Sequence, residues 1–325
     1  MGLLVPNEME LLRRLKTQLL QYFIGMKRFK KFLARIERKT AITTHPQDSI
    51  SLVIIRRLRV LAFCLYREAS TISFRQKGTK QLRNSKNSKG LREALVLGNG
   101  PSINAIDWEK LALEKSNLDV FVVNWFVLSA NMFVPDYVVL SDPAMHPLSK
   151  SDERNSLLWK KLEELNSVIL IVPVSWFRVL RNDSRFNQRI ICFVDSSLEG
   201  WWTGISPLLP RGYASLTAYK ALAVANYFGY SRISILGIDN TMFRGLHVSS
   251  SNQILLKDHH FYSSDKDDDL SNFFPNGVAD YFYDLSLCFI YLKSCFSKLN
   301  HVVNLDELSL VDTFTKSKSH ASYLN

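Results

Sequence analysis

Cysteine is scarce in this chain and scattered. Four residues in 325, Cys64, Cys192, Cys288 and Cys295, form no CxxC pair and no ladder of spacings. That excludes a disulfide-stapled scaffold or a zinc ribbon and fits a reducing cytoplasm. No run of about 18 uncharged apolar residues occurs, so no membrane-spanning helix is expected. The first residues lack the short apolar core and small-residue cleavage site of a signal peptide. Acidic residues are rare in one region only: residues 1–92 hold 5 carboxylates against 21 lysines and arginines, whereas residues 93–325 hold 25 against 20. The net charge of +11 therefore belongs to an N-terminal arm, and the remainder is mildly acidic. An acidic body is a poor match for nucleic acid, which is excluded as its substrate.

What is present is a 46% hydrophobic, 12% aromatic chain, enough for one large α/β domain with an appendage. Residues 1–75 read as a basic amphipathic helical arm. Leu12, Leu15, Leu19, Tyr22, Met26, Phe29, Leu33 and Ile36 alternate three and four apart on one helical stripe. Arg13, Arg14, Lys16, Lys27, Arg28, Lys30, Lys31, Arg35, Arg38 and Lys39 occupy the other faces. Such a helix suits an anionic membrane surface through residues 1–40, or a helical partner including a second copy of the chain. A second apolar-basic segment, Ser49 to Glu68, reads as a helix beside it. Residues 76–92 are polar and basic and read as a linker, leaving 93–325 as the α/β domain.

Patterning in that domain gives strands at Ala94–Leu97, Val120–Asn124, Tyr137–Ser141, Val168–Val172, Ile190–Phe193, Ile233–Ile238 and His301–Asn304. Helices are expected at Asp107–Lys115, Asn155–Asn166, Ser215–Phe228 and Val278–Leu299. The alternation predicts an α/β fold, a mostly parallel Rossmann-like sheet covered on both faces. Ligands of such sheets sit at the carboxyl ends of the strands. The polar residues there form one set. Gly98-Asn99-Gly100-Pro101-Ser102 follows the first strand, Asn124 and Trp125 the second, Ser141 and Asp142 the third, and Asp239 and Asn240 the strand ending Gly237-Ile238. Glycines in the first turn let a phosphate or ribose approach the backbone, and the next helix start favours an anion. Taken singly, each Asn or Asp is an ordinary turn residue.

The same residues, in order, resemble bacterial family 42 sialyltransferases and the related domains of flagellin-modifying Maf proteins and surface-polysaccharide loci. The shared series runs from Gly98-Asn99-Gly100-Pro101-Ser102 and Ile106-Asp107 through Asp119-Val120-Phe121 and Asn124. It continues with Ala223-Val224-Ala225 and Gly229-Tyr230 and ends at Gly237-Ile238-Asp239. It covers roughly residues 94–265. The resemblance implies a variant of the GT-A glycosyltransferase fold and inverting transfer of a sialic-acid-like (nonulosonic) sugar from a CMP donor, with no essential metal. It implies that Asn99, Asn124 and Asp142 touch the CMP moiety, and that Ser215 and Thr217 face donor carboxylate or phosphate. Asp239 would close the ribose side. The implied acceptor is a glycan or lipid-linked oligosaccharide of capsule or O-antigen synthesis, at the inner face of the bacterial cytoplasmic membrane.

The sialyltransferases carry tyrosines after Gly-Ile-Asp; here the segment reads Asn240-Thr241-Met242-Phe243-Arg244. Arg244 and Arg211 are the candidates to neutralise a phosphate instead. An acceptor hydroxyl needs a base that titrates near neutrality, so His260, with His259 in reserve, is the expected base. Tyr262 would hydrogen-bond the leaving phosphate. Asp265-Lys266-Asp267-Asp268-Asp269 reads as a solvated acidic loop, although clustered carboxylates also hold Mg²⁺ or Mn²⁺ beside a sugar diphosphate, and those ions stay open. Competing readings are another nucleotide-sugar donor, diphosphoryl transfer from ATP, and a non-catalytic membrane-associated nucleotide-binding scaffold.

Overall fold

The computed structural model describes residues 50–129, 133–149, 153–257, 261, 267–274 and 276–324. The chain divides into two compact units, residues 1–59 and 60–325. The arm residues 1–40 lie outside the described residues. Among the described residues no helix is long and apolar enough to cross a membrane.

Eight parallel strands form the central sheet. In chain order these are β1 (Glu93–Leu97), β2 (Leu118–Val123), β3 (Tyr137–Val139), β4 (Ile169–Pro173), β5 (Ile190–Phe193), β6 (Arg232–Leu236), β10 (Val302–Asn304) and β11 (Thr315–Lys316). Three further strands, β7 (Leu246–Val248), β8 (Ile254–Lys257) and β9 (Asp267–Asp269), make a small antiparallel sheet. The large sheet runs β11-β10-β6-β1-β2-β3-β4-β5. β1 therefore stands where the strand order reverses, with β2 on one side and β6 on the other. Crevices form outside the carboxyl ends of strands at such a point.

The strands read as unbroken apolar runs because both faces are covered. Ala94 and Val96 pack into one core layer, with the helices Thr217–Phe228 and Val278–Phe296; Leu95 and Leu97 pack into the other, with Trp108–Leu113, Glu153–Glu164 and Phe177–Arg181. Asp107 caps the helix it precedes by accepting from the Lys110 N–H at 3.1 Å. The four cysteines are buried thiols.

The N-terminal divisions expected from composition need correction. The second basic segment is a helix running from Ile50 to Gly78, ten residues beyond Glu68. Its C-terminal part docks on the body: Arg75 Nη2 donates to the Leu208 carbonyl at 2.8 Å, and Arg178 to Ser73 Oγ at 2.7 Å. Residues 76–92 are not a free linker. Lys80–Asn84 is helical with Leu82 fully buried. The Asn87 N–H donates to the Tyr227 carbonyl, and Lys89 and Arg92 both pair with the buried Asp119, whose other partner is the Tyr230 hydroxyl. Two of the six cations in this stretch are spent on a carboxylate of β2, a partner that composition does not announce.

Candidate functional site

A cleft of about 520 Å³ opens at the carboxyl ends of β1, β2, β3 and β6 and the start of the helix Thr217–Phe228. Gly98, Asn99, Gly100, Asn124, Ser141, Asp142, Ser215, Thr217, Asp239 and Asn240, ten of the expected contacts, line it.

On the β1–β6 side the polar groups satisfy one another. The N–H groups of Gly98 and Gly100 donate to the carbonyls of Leu236 and Gly237, both at 2.8 Å. Ser102 Oγ donates to Asp239 Oδ1 at 2.6 Å and accepts from the Gly237 N–H at 2.9 Å, while the Ser102 N–H reaches Asp239 Oδ2 at 3.2 Å. A Cβ at Gly98 would strike the Gly237 carbonyl, and one at Gly100 the Asp239 carboxylate. These glycines therefore admit the β6 turn, a different role from the phosphate or ribose approach expected of them. Burial pushes the Asp239 carboxyl above the usual carboxylate range; its bonds to Ser102 oppose this and the nearby Asp306 adds to it. The Ser102 side chain, expected at the ligand, stands behind Asp239.

The β2–β3 side differs. Asn124 holds φ +51°, a left-handed conformation that costs an asparagine little. Its Nδ2 donates to Thr217 Oγ1 at 3.1 Å, and Thr217 Oγ1 shares a 2.6 Å bond with Ser141 Oγ. Asn124 Oδ1 is buried with no hydrogen-bond partner. Asn240, at φ +52°, donates from Nδ2 to the hydroxyl of the fully buried Tyr219 at 2.9 Å. Left-handed non-glycine residues concentrate at functional sites, and two flank this cleft. Asp142 Oδ1 accepts from the Ala144 N–H at 2.9 Å, a turn cap, and its side chain remains exposed.

The helix at Thr217 enters from Leu216, which supplies no side-chain cap, and no acidic residue occupies its first turn. The first N–H groups of an α-helix have no intrahelical acceptor and carry partial positive charge. Ser215, Leu216, Thr217 and Ala218 bring that end to the cleft wall.

Other expected residues stand elsewhere. Arg211 does not line the cleft; it is buried, with Nη2 3.3 Å from Glu199 Oε1. Arg244 is exposed in the turn Met242–Gly245 and does not line the cleft, although Thr241 and Met242 do. His259, His260 and Tyr262 lie outside the described residues. Phe261, between them in sequence, donates its N–H to the Asn99 carbonyl at 3.0 Å and packs its ring 5.0 Å from that of Phe126. Of the acidic run, Asp267–Asp269 forms β9 against β8 rather than a loop, with Asp269 capping the Ser271 N–H at 2.9 Å. Among the described residues no three His, Cys, Asp or Glu side chains gather as a metal site.

Two cleft residues escaped the sequence reading. Trp125, noted only as the aromatic after Asn124, lines the cleft with the Arg154 guanidinium 4.6 Å from its ring centre. Lys220 lines it from the first turn of the helix, with Nζ 2.9 Å from Asp195 Oδ1. Its signal was its position three residues after Thr217, which a search confined to strand ends passes over.

Residues bearing amide, hydroxyl and ammonium groups thus line the cleft together with a helix N-terminus: groups suited to a polar ring or sugar joined to an anion. No known family profile and no curated protein matches the chain. Among solved structures it is similar to the Maf glycosyltransferase of Magnetospirillum magneticum AMB-1, with a TM-score of 0.43 and 12% identity over 91% of this chain and 47% of that one. The chain thus spans about half the length of that protein.

Proposed function

We propose that this chain is a glycosyltransferase that moves a nonulosonic sugar from a CMP donor to a glycan hydroxyl. The observation that carries the reading is the unsatisfied Asn124–Ser141–Thr217 wall beside an uncapped helix N-terminus at the switch point of a parallel sheet. The ordered sequence series that resembles the sialyltransferases supplies the donor class. Asn124 Oδ1 accepts from the nucleoside, Asn99 and Asp142 bound it, and the helix end with Ser215 and Thr217 receives phosphate or sugar carboxylate. Asp239 and Ser102 hold the turn that shapes the ribose side.

In the transfer step the acceptor oxygen forms a bond to the anomeric carbon as the bond from that carbon to the phosphate oxygen breaks. His260 takes the acceptor proton, with His259 in reserve, and CMP leaves with the bonding pair. Tyr262 opposes the charge that develops on the leaving phosphate, and no metal is required. The acceptor is a glycan or lipid-linked oligosaccharide, brought near by residues 1–40 at an anionic bilayer surface.

The test is release of CMP from CMP-sialic, CMP-legionaminic and CMP-pseudaminic acids with EDTA present. Turnover of one of them that disappears in His260→Ala supports the proposal. Turnover only of UDP- or GDP-sugars with Mn²⁺, or of ATP with Mg²⁺, overturns it. Nucleotide binding with no turnover in the presence of acceptor glycans would favour a scaffold.

A further inference from the structure

Below the open wall lies a set of charges that the proposed transfer step leaves unused. Lys220 is 3% exposed and lines the cleft, and its ammonium lies 2.9 Å from Oδ1 of Asp195, just beyond β5. Burial works against ionisation of Asp195, yet Lys220, Arg211 and Arg67 hold it below the usual carboxylate range. Burial pushes Lys220 down, Asp195 pulls it up, and Arg211 pushes it down again. Arg211 is 9% exposed, and its Nε and Nη1 are buried with no hydrogen-bond partner.

This is a costly arrangement for a purely structural strut. A buried ion pair rarely exceeds a well-packed apolar pair in stability, and unmade donors on a buried guanidinium add to the cost. The helix Thr217–Phe228 already packs through Tyr219, Leu222, Val224 and Phe228, all buried, and needs no lysine to hold it. Lys220 is also the cation that reaches the cleft lining within the first turn of that helix, where the N-terminal N–H groups already favour negative charge.

We propose that Lys220 receives a phosphate group of the cleft's ligand, sharing its ammonium between that phosphate and Asp195, with Asp195 and Arg211 as positioning residues behind it. The inference rests on the cleft being a ligand site, and is independent of which nucleoside or sugar is attached. Phosphate recognition then has two parts: the backbone of the helix end, and one buried side-chain cation whose position Asp195 fixes.

The test separates charge supply from support. Lys220→Met alone takes from Asp195 its nearest cation, leaving Arg67 at 3.6 Å, and risks misfolding, so the decisive variant is Lys220→Met/Asp195→Asn, which removes both charges. Binding of inorganic phosphate, CMP and cytidine is measured by calorimetry, with melting temperature as the folding control. The expected result is a folded double variant with unchanged cytidine affinity, CMP affinity down about tenfold or more, and phosphate binding abolished. Retained CMP and phosphate affinity, or equal loss for CMP and cytidine, would reduce the pair to a strut and overturn the proposal. Should the double variant fail to fold, Lys220→Arg carries the test. A guanidinium cannot take up the same point contact, so CMP should weaken about threefold with cytidine unchanged; equal weakening of both overturns the proposal. The wild type distinguishes the two readings. Phosphate binding without CMP binding ends the CMP proposal and leaves this one standing. CMP and cytidine binding alike, or no response to phosphate and CMP, ends this one.

Discussion

The two sides of the cleft use the same residue types to opposite ends. On the β1–β6 side, Gly100, Ser102, Gly237 and Asp239 hydrogen-bond one another, and Gly98 joins the same turn through the Leu236 carbonyl. On the β2–β3 side, Asn124, Ser141 and Thr217 form an incomplete network that leaves Asn124 Oδ1 without a partner. The first side is architecture that shapes the cleft, and the second keeps the acceptor oxygen that the proposed donor would use. A glycine-rich turn after a strand attracts attention in a sequence, yet its glycines serve a neighbouring turn. The less conspicuous asparagine holds the unpartnered oxygen.

The largest expected effect breaks the architectural side. Gly98→Ala drives a methyl into the Gly237 carbonyl and should destabilise the fold by about 3 kcal/mol, the upper range of overpacking. Calorimetric unfolding should show it, and a variant as stable as wild type would mean that the turns are not locked together. On the open side, Asn124→Gly removes the side chain at a left-handed position that glycine adopts freely. Stability should change little while nucleotide affinity falls about tenfold, the scale of one hydrogen bond to an otherwise unpaired buried group. Loss of stability with affinity retained would invert the assignment of the two sides. Thr217→Val, which keeps shape and removes the hydroxyl shared by Asn124 and Ser141, should weaken binding by a smaller factor, about fivefold.

The smallest effect depends on pH. Asp239 titrates above the usual carboxylate range because of burial first and Asp306 second. Its protonated form is favoured by folding, so the associated stability is present below the unfolded value of about 4 and is lost as pH rises through the raised folded value. Asp306→Asn keeps the cap on the Leu308 N–H and removes one charge of the pair. It should melt higher than wild type at pH 7 to 8, with the difference vanishing toward pH 4. A constant difference across that range would show that the two carboxyls do not interact.

Much of this was legible in the sequence, for physical reasons. The seven expected strands are all present because a doubly covered parallel strand must be apolar throughout, and β1 is buried from Ala94 to Leu97. The short strands β7, β9 and β11 carry no such signature; Asp267–Asp269 reads as a solvated loop until its pairing with β8 is seen. The convergence of strand-end polar residues was legible from topology alone, since parallel strands deliver their ends to one edge. Which of them are internally satisfied was not, because that depends on hydrogen bonds between residues more than a hundred positions apart, such as Ser102 and Asp239. Lys220 and the docking of residues 76–92 were hidden for a related reason: both depend on carboxylates, the half-buried Asp195 and the buried Asp119, whose partners sequence proximity does not reveal.

The most direct test of the account is calorimetric titration of the protein with CMP, UMP, GDP and ATP, with and without Mg²⁺, alongside Asn124→Gly. CMP is expected to bind best, without metal, and Asn124→Gly to lose most of that affinity while its melting temperature stays near that of the wild type. Preference for ATP or GDP with Mg²⁺, or CMP affinity indifferent to Asn124, would contradict it.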